Sequence, residues 1–338
     1  MATSSAAGTR PGTGWLEEWN PEDKAFWESK GKYVARRNLV FSIFAEFLGF
    51  SVWQLFSIVA ALLPAIGFTF DSNELFWLVA LPGLIGATMR FPYTFAVGLF
   101  GGRNWTIISA LLLLIPCVLL GVIVQNPDTP FWLFAVAAAL GGLGGGNFSS
   151  SMANISYFYP NHKKGAALGI NAAGGNLGVG VVQFLVPVLI TLGVFGIVFG
   201  DSQTRTDPAT GATSEVFAQN GAFFWVPLIL LAAICAYFFM NNLRVSQAPP
   251  KEQARVMKRK HAWIMSYLYI GTFGSFIGYS ASFPLLIKTQ FPENLALVFW
   301  APLGPILGSL VRPLGGWLSD TFGGACVTFW TFVAMIGA

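Results

Sequence analysis

Apolar residues run through this chain in stretches of about 20, the length an α-helix needs to cross the hydrocarbon of a bilayer, and short polar or glycine-proline segments separate them. The stretches begin near Leu39, Leu75, Trp105, Phe131, Gly165, Gly221, Trp263 and Leu295 and predict eight complete transmembrane helices. A ninth starts near Ala325 and stops at Ala338, 14 residues on, too short to span at about 1.5 Å per residue. The chain is therefore expected to be a fragment of a longer protein. Ahead of Leu39 no apolar run of signal-peptide type occurs. There Asn20-Pro21-Glu22-Asp23 reads as a helix start with Asn20 as the cap. Trp15, Trp19, Phe26 and Trp27 are expected either at the membrane interface or in a disordered tail.

Composition agrees with the pattern: 54% hydrophobic residues, 10% charged and a mean hydropathy of +0.62 exclude an ordinary soluble domain. Lys and Arg then give direction. The tail and the loops after even-numbered helices hold Arg10, Lys24, Lys30, Lys32, Arg36, Arg37, Arg103, Lys163, Lys164, Arg244, Lys251, Arg255, Lys258, Arg259 and Lys260, whereas the other side has only Arg205 and Lys288. By the positive-inside rule the N-terminus is cytoplasmic. The net charge of +4 sits at helix flanks and predicts no nucleic-acid partner. Cys117, Cys235 and Cys326 lie in apolar runs at no ligand-like spacing, and His162 and His261 stand beside lysines in loops. No metal or cofactor is expected, and no nucleophile-base pair in the spans suggests an enzyme.

One segment recurs. Residues 75–106 slide onto 297–328 at an offset of 222, matching Gly86 with Gly308, Arg90 with Arg312 and Phe100-Gly101-Gly102 with Phe322-Gly323-Gly324. A guanidinium inside a bilayer costs several kcal/mol, so one at corresponding positions of two repeats marks a functional site. The offset maps helix two onto helix eight and implies halves of six helices related by a parallel repeat, as in major facilitator transporters. The expected organisation is a cytoplasmic segment 1–38, a six-helix bundle 39–240, a basic linker 241–262 around Pro249-Pro250, and a partial second bundle 263–338. After the first arginine, Gly98-Leu99-Phe100-Gly101-Gly102-Arg103 lacks the acid that the second copy, Gly316-Trp317-Leu318-Ser319-Asp320, retains.

Helices four and five carry glycine-rich runs, 141–151 and 169–180. Small residues let membrane helices approach closely, which accounts for most of these glycines. Asn171 and Asn176 need partners in hydrocarbon. Five residues apart, they point about 140° apart at about 100° per residue, so one is free to face a cavity while the other bonds a neighbouring helix. Glu46 is the only acid inside a complete predicted span, a candidate proton site or a structural hydrogen-bonding group.

Arg90-Phe91-Pro92-Tyr93, the run 145–156, the glycine-asparagine run 169–180, Trp263-Ile264-Met265-Ser266, the run 272–278 and Lys288-Thr289-Gln290-Phe291-Pro292 together resemble the NarK-type nitrate/nitrite porters of the major facilitator superfamily. The resemblance extends from about Trp19 to the last residue, and the run 169–180 is similar to that family's nitrate signature. It implies an all-α membrane protein with the major facilitator fold, working as a monomer in the cytoplasmic membrane. It also implies nitrate and nitrite as cargo, held between Arg90 and Arg312, with Phe148, Tyr269 and Phe273 shaping the cavity and Asn171 and Asn176 in the signature helix. A planar oxyanion suits the planar arginine fork. Because a cavity with two arginines stays strongly positive when empty, nitrate/nitrite antiport is expected over nitrate/proton symport, with Glu46 mainly structural. A carrier or channel for another small oxyanion is the alternative.

Overall fold

A computed structural model describes residues 14–193, 200–206 and 211–337; Arg10 and Ala338 lie outside them. The architecture is helical, with eight spans among the described residues long and apolar enough to cross a membrane: α1 (Lys24–Ile66), α2 (Ser72–Phe100), α3 (Gly102–Ile123), α4 (Phe131–Phe158), α5 (Asn161–Leu189), α6 (Asn220–Phe239), α7 (Lys260–Gln290) and α8 (Ala296–Phe322). A shorter helix, α9 (Gly324–Gly337), follows. All eight coincide with the apolar stretches of the sequence. Short strands supplement the helices: β1 (Trp15–Leu16) runs parallel to β4 (Asn242–Leu243), and β2 (Gln203–Thr206) pairs antiparallel with β3 (Thr213–Val216) in the α5–α6 connection.

The repeat is visible in the backbone. α2 and α8 each end at a glycine in the left-handed region, Gly101 at φ 84° and Gly323 at φ 89°, immediately after the repeated phenylalanine. Such angles carry almost no steric cost only for glycine. Ten residues before each cap-preceding phenylalanine stands the corresponding arginine.

α5 lies in a slot between α1 and α8, and its glycines set the depth of that slot. A Cβ at Gly169 would sit 2.8 Å from the Arg312 carbonyl, and one at Gly175 would sit 2.6 Å from the Glu46 side chain. Gly178 abuts the Phe47 carbonyl of α1, and Gly180 faces Pro302 and Ile306 of α8. One face of α5 thus meets the first half and another meets the second. On α4, Gly144 abuts the Gly49 backbone of α1, and Gly145 gives way to the Trp53 ring.

The N-terminal segment departs from expectation. Its helix cap is Asp23 rather than Asn20: Asp23 Oδ1 accepts from the Ala25 and Phe26 N–H groups at 2.8 and 3.3 Å. Trp19 and Trp27 are buried in a cluster with Leu16, Phe158 and Leu243, not at a lipid surface. Trp19 Nε1 donates to the Tyr157 carbonyl at 3.0 Å, and Trp15 pairs with Asn242 across the β1–β4 contact. The segment straps the ends of α4, α5 and α6 together because its aromatic side chains find more contact there than a headgroup layer would give them. The linker also has local structure, with 3₁₀ turns at Arg244–Ser246 and Ala254–Lys258 around a helical turn at Pro250–Gln253.

Candidate anion site

Arg90 and Arg312 converge from the two repeats on one aromatic side chain. The Arg90 guanidinium carbon lies 4.4 Å from the Phe273 ring centre, and that of Arg312 lies 5.2 Å from the same centre. The surroundings repeat as well. Gly86 on α2 makes a pit filled by the Trp53 ring from α1, and Gly308 on α8 makes one filled by the Phe276 ring from α7. One turn further, each arginine stands 5.6 Å over the ring in its own pit. A glycine, an arginine four residues on and a ring from the preceding helix therefore form a unit that occurs twice. Cation–π contacts of this kind contribute about 0.5–2 kcal/mol each and hold guanidinium groups in an apolar region without an ion pair.

The sequence-derived aromatic residues complete the site. Phe148 of α4 stacks on Phe273 at 5.2 Å and 25° and on Tyr269 at 6.3 Å, while Tyr269 stacks on Phe273 at 5.0 Å and 6°. Arg90 also lies over Phe148 at 4.9 Å, and Tyr269 faces both arginines. Residues 270–274 of α7 form a π-helical turn, a local underwinding that recurs at functional sites and here follows Tyr269 and carries Phe273. Phe148 and Phe273 are buried.

The two asparagines divide as their angular separation allows. Asn176, with its amide oxygen turned to the guanidinium as hydrogen bonding dictates, accepts from Arg312 Nε, Nη2 and Nη1 at 2.8, 3.1 and 3.2 Å. Asn171 faces away from the arginines and donates to Glu46 Oε2 and Ser151 Oγ, both at 2.7 Å. Ser151 donates to the same Glu46 oxygen, and Ser42 lies 3.0 Å from Ser151. Glu46 thus joins α1, α4 and α5 in a fully buried polar node beside the arginines.

Two donors on the first arginine differ in their use. Arg90 Nε donates to the Gly145 carbonyl at 3.3 Å, whereas its Nη2 is buried with no partner among the described residues. An unpaired buried guanidinium N–H is costly and is what an oxyanion would satisfy. A cavity of about 570 Å³ adjoins it, lined by Trp53, Arg90, Tyr269, Phe273, Ser282 and otherwise apolar residues of α2 and α7. Arg312, both asparagines and Phe148 of the aromatic stack do not line that cavity. Sequence reasoning missed Trp53, Phe276, Ser42 and Ser151. Phe276 had a signal, since positions 269, 273 and 276 share a helix face.

Three further polar contacts bridge the halves away from the arginines. Asp320, at the end of α8, accepts from the Gly165 and Ala166 N–H groups at the start of α5 at 2.8 and 2.7 Å. At the other end of α5, Gln183 donates to Ser57 Oγ at 2.8 Å and to the Ser280 carbonyl of α7 at 2.7 Å. Lys288 Nζ of α7 donates to the Ala61 carbonyl of α1 at 2.6 Å.

Comparison with known proteins agrees with this geometry. Residues 39–338 match the profile of the Major Facilitator Superfamily. The chain is 48% identical over 322 residues to the nitrate/nitrite transporter NarU of Escherichia coli (strain K12), covering 95% of this chain and 68% of that protein. It is 42% identical over 330 residues to a probable nitrate/nitrite antiporter, NarK2, of Thermus thermophilus, covering 96% and 72%. A nitrite extrusion protein of Bacillus subtilis (strain 168) is 26% identical over 289 residues, 85% of this chain and 66% of that protein. Two arginines from equivalent points of a parallel repeat, meeting at one ring inside an eight-span helical membrane protein, fit these relatives: the chain belongs to the major facilitator superfamily and, within it, to the NarK-type nitrate/nitrite porters.

Proposed function

We propose that the protein carries nitrate and nitrite across the bacterial cytoplasmic membrane by alternating access, exchanging one for the other, with its N-terminus in the cytoplasm. The observation that carries this reading is the meeting of Arg90 and Arg312 over Phe273, with a buried donor of Arg90 unpaired. A planar oxyanion there gains charge-assisted hydrogen bonds from both guanidiniums. The stacked rings of Phe148, Tyr269 and Phe273 beside the arginines present an apolar wall that strips water from hydrated anions. Without an anion the two like charges repel across a medium of low dielectric, so reorientation is favoured when cargo is aboard, which is the requirement for exchange. In this reading Phe148, Tyr269 and Phe273 shape the cavity, Asn176 orients Arg312, and Asn171 holds Glu46 rather than the anion. The protein is a transporter and not an enzyme, and one chain suffices for the cycle.

Full-length protein in liposomes loaded with nitrite should take up external nitrate, whereas phosphate should neither drive exchange nor compete. Equal competition by phosphate would overturn the nitrate assignment, and flux through an open pore without counterflow would overturn the carrier. A second reading, nitrate/proton symport, has one observation in its favour: Glu46 Oε1 and Asn171 Oδ1 are both buried acceptors without a donor among the described residues, and a proton on Glu46 would satisfy one of them. Glu46→Gln is expected to retain nitrite-driven nitrate uptake. Strong pH-driven uptake that disappears in this variant would move the assignment to symport. For orientation, cysteines placed at Asp128 and Thr213 should react with an impermeant external reagent, and those at Lys163 and Lys258 should not.

A further inference from the structure

The linker and the start of α7 carry a basic surface that the anion site does not use. Between Asn241 and Trp263 stand six cations, Arg244, Lys251, Arg255, Lys258, Arg259 and Lys260, and one acid, Glu252. Glu17 engages Arg244. The other five are exposed and make no ion pair among the described residues, and residues 1–13, outside them, contain no acid. Membrane orientation accounts for the charge. It does not account for the apolar side chains set among the cations: Val256, Met257 and Trp263 are exposed, whereas Trp19 and Trp27 at the same end of the molecule are buried under protein. The segment has a definite shape. A 3₁₀ turn over Ala254–Lys258 leads into α7, the Arg259 N–H donates to the Val256 carbonyl at 3.0 Å, and Trp263 Nε1 donates to the Met257 carbonyl at 2.8 Å. Val256 to Trp263 thus form one loop against the first turn of α7.

Length sets the depth of that loop. α7 has 31 residues, about 46 Å at the helical rise, against a hydrocarbon core of about 30 Å. The excess, about ten residues, is shared between the two ends and leaves Lys260 to Trp263 in the headgroup layer. We propose that this loop is a binding surface for the anionic lipid headgroups of the leaflet it borders. Arg255, Lys258, Arg259 and Lys260 meet the phosphates, and Val256, Met257 and Trp263 enter the upper acyl region. Cations draw such a segment to a negative surface at short range, and the apolar side chains between them then bury area at the boundary. The consequence is mechanical. The earlier part of the linker is held by the first half: the Asn241 N–H donates to Asn38 Oδ1 at 2.7 Å, the Asn242 N–H to the Gly14 carbonyl at 2.9 Å, and Gln253 lies against Gly98 of α2. Beyond Ala254 the chain moves with α7, which carries Phe273. Lipid bound there anchors the second half at its entry, while protein contacts anchor the linker to the first. This inference does not depend on which anion is carried.

The test uses full-length protein with a solvatochromic dye on Val256→Cys, in a background without other reactive cysteines. It is reconstituted in vesicles of phosphatidylcholine alone or mixed with phosphatidylglycerol. Emission should move to the blue as phosphatidylglycerol is added and return at high ionic strength. With Arg255, Lys258, Arg259 and Lys260 all changed to Gln, about threefold more phosphatidylglycerol should be needed for the same shift. The salt titration of the labelled parent reads the same surface with its charges intact, so the proposal is judged even if the Gln protein fails to insert. No shift in either lipid, an equal shift in phosphatidylcholine alone, or a shift that salt leaves unchanged overturns the lipid surface. A shift produced by free inorganic phosphate in phosphatidylcholine vesicles also overturns it, because the cations would then serve a soluble anion.

Discussion

The two copies of the repeat share a backbone and differ in what they grip. In both, a glycine pit holds a ring, an arginine stands over it, and a left-handed glycine ends the helix. Arg90 nevertheless keeps a donor unpaired, whereas Arg312 is engaged by Asn176 of α5. The ends differ further. Position 320 is an aspartate reaching across to the other half; its counterpart, position 98, is Gly98, and a Cβ there would strike Gln253 and the Ala248 carbonyl of the linker. The linker thus occupies the place at the end of α2 where the second copy has its acid. After the first copy, Arg103 turns inward to its own half, donating to the Tyr237 carbonyl at 2.9 Å. The two copies are thus used differently: the first leaves a guanidinium donor unpaired among the described residues, and the second adds, through Asp320, a contact between the halves.

That division is open to test. Its largest consequence concerns the arginines. Arg90→Lys and Arg312→Lys keep the charge but lose the fork, and losing two charge-assisted bonds at about 1.5 kcal/mol each should cut nitrate exchange about 10²-fold. Normal exchange by either variant at equal abundance would break the pairing. A smaller effect is expected from Gly169→Ala, which drives a methyl into the Arg312 carbonyl; overpacking of that kind costs about 2 kcal/mol and should lower the thermal midpoint of the purified protein. The same change at Gly211, which has open space around it, strains only a left-handed backbone angle in a loop and should spare the α5–α8 packing. The smallest concerns Asp320→Asn. Losing a negative charge at the α5 N-terminus should raise the reactivity of cysteines at that end of the bundle about two- to fivefold, read as the rate of maleimide labelling. No change there would mean that Asp320 does not help to keep the halves closed.

Most of the fold was legible because a bilayer imposes a length, and every apolar stretch became a helix. The arginines were legible because a fixed offset of 222 left them in register, and glycines near Asn171 and Asn176 read correctly as packing surfaces. Which asparagine faced the arginines was not legible, since angular separation fixes their relative directions and not the direction of either. Trp53 was hidden in an aromatic-rich run, and its role follows from two pits, Gly86 and Gly145, on other helices. The contact of Asp320 with α5 joins residues 155 apart, and no local pattern announces a pairing of that range. The tryptophans ahead of Leu39 were misread for the same reason: their partners lie on α4, α5 and β4.

That strap imposes an order in time on the newborn chain. Glu17 meets Arg244 across 227 residues, at 3.2 Å, so part of a segment made before α1 finds its partner only once α6 has been made. At about 5–20 residues per second, Trp15 waits on the order of 10–45 seconds for Asn242, while Trp19 and Trp27 meet Tyr157 and Tyr159 at the end of α4 earlier. Their capture by the α4 and α6 ends then signals that six helices have arrived in the right arrangement, before α7 begins the second bundle.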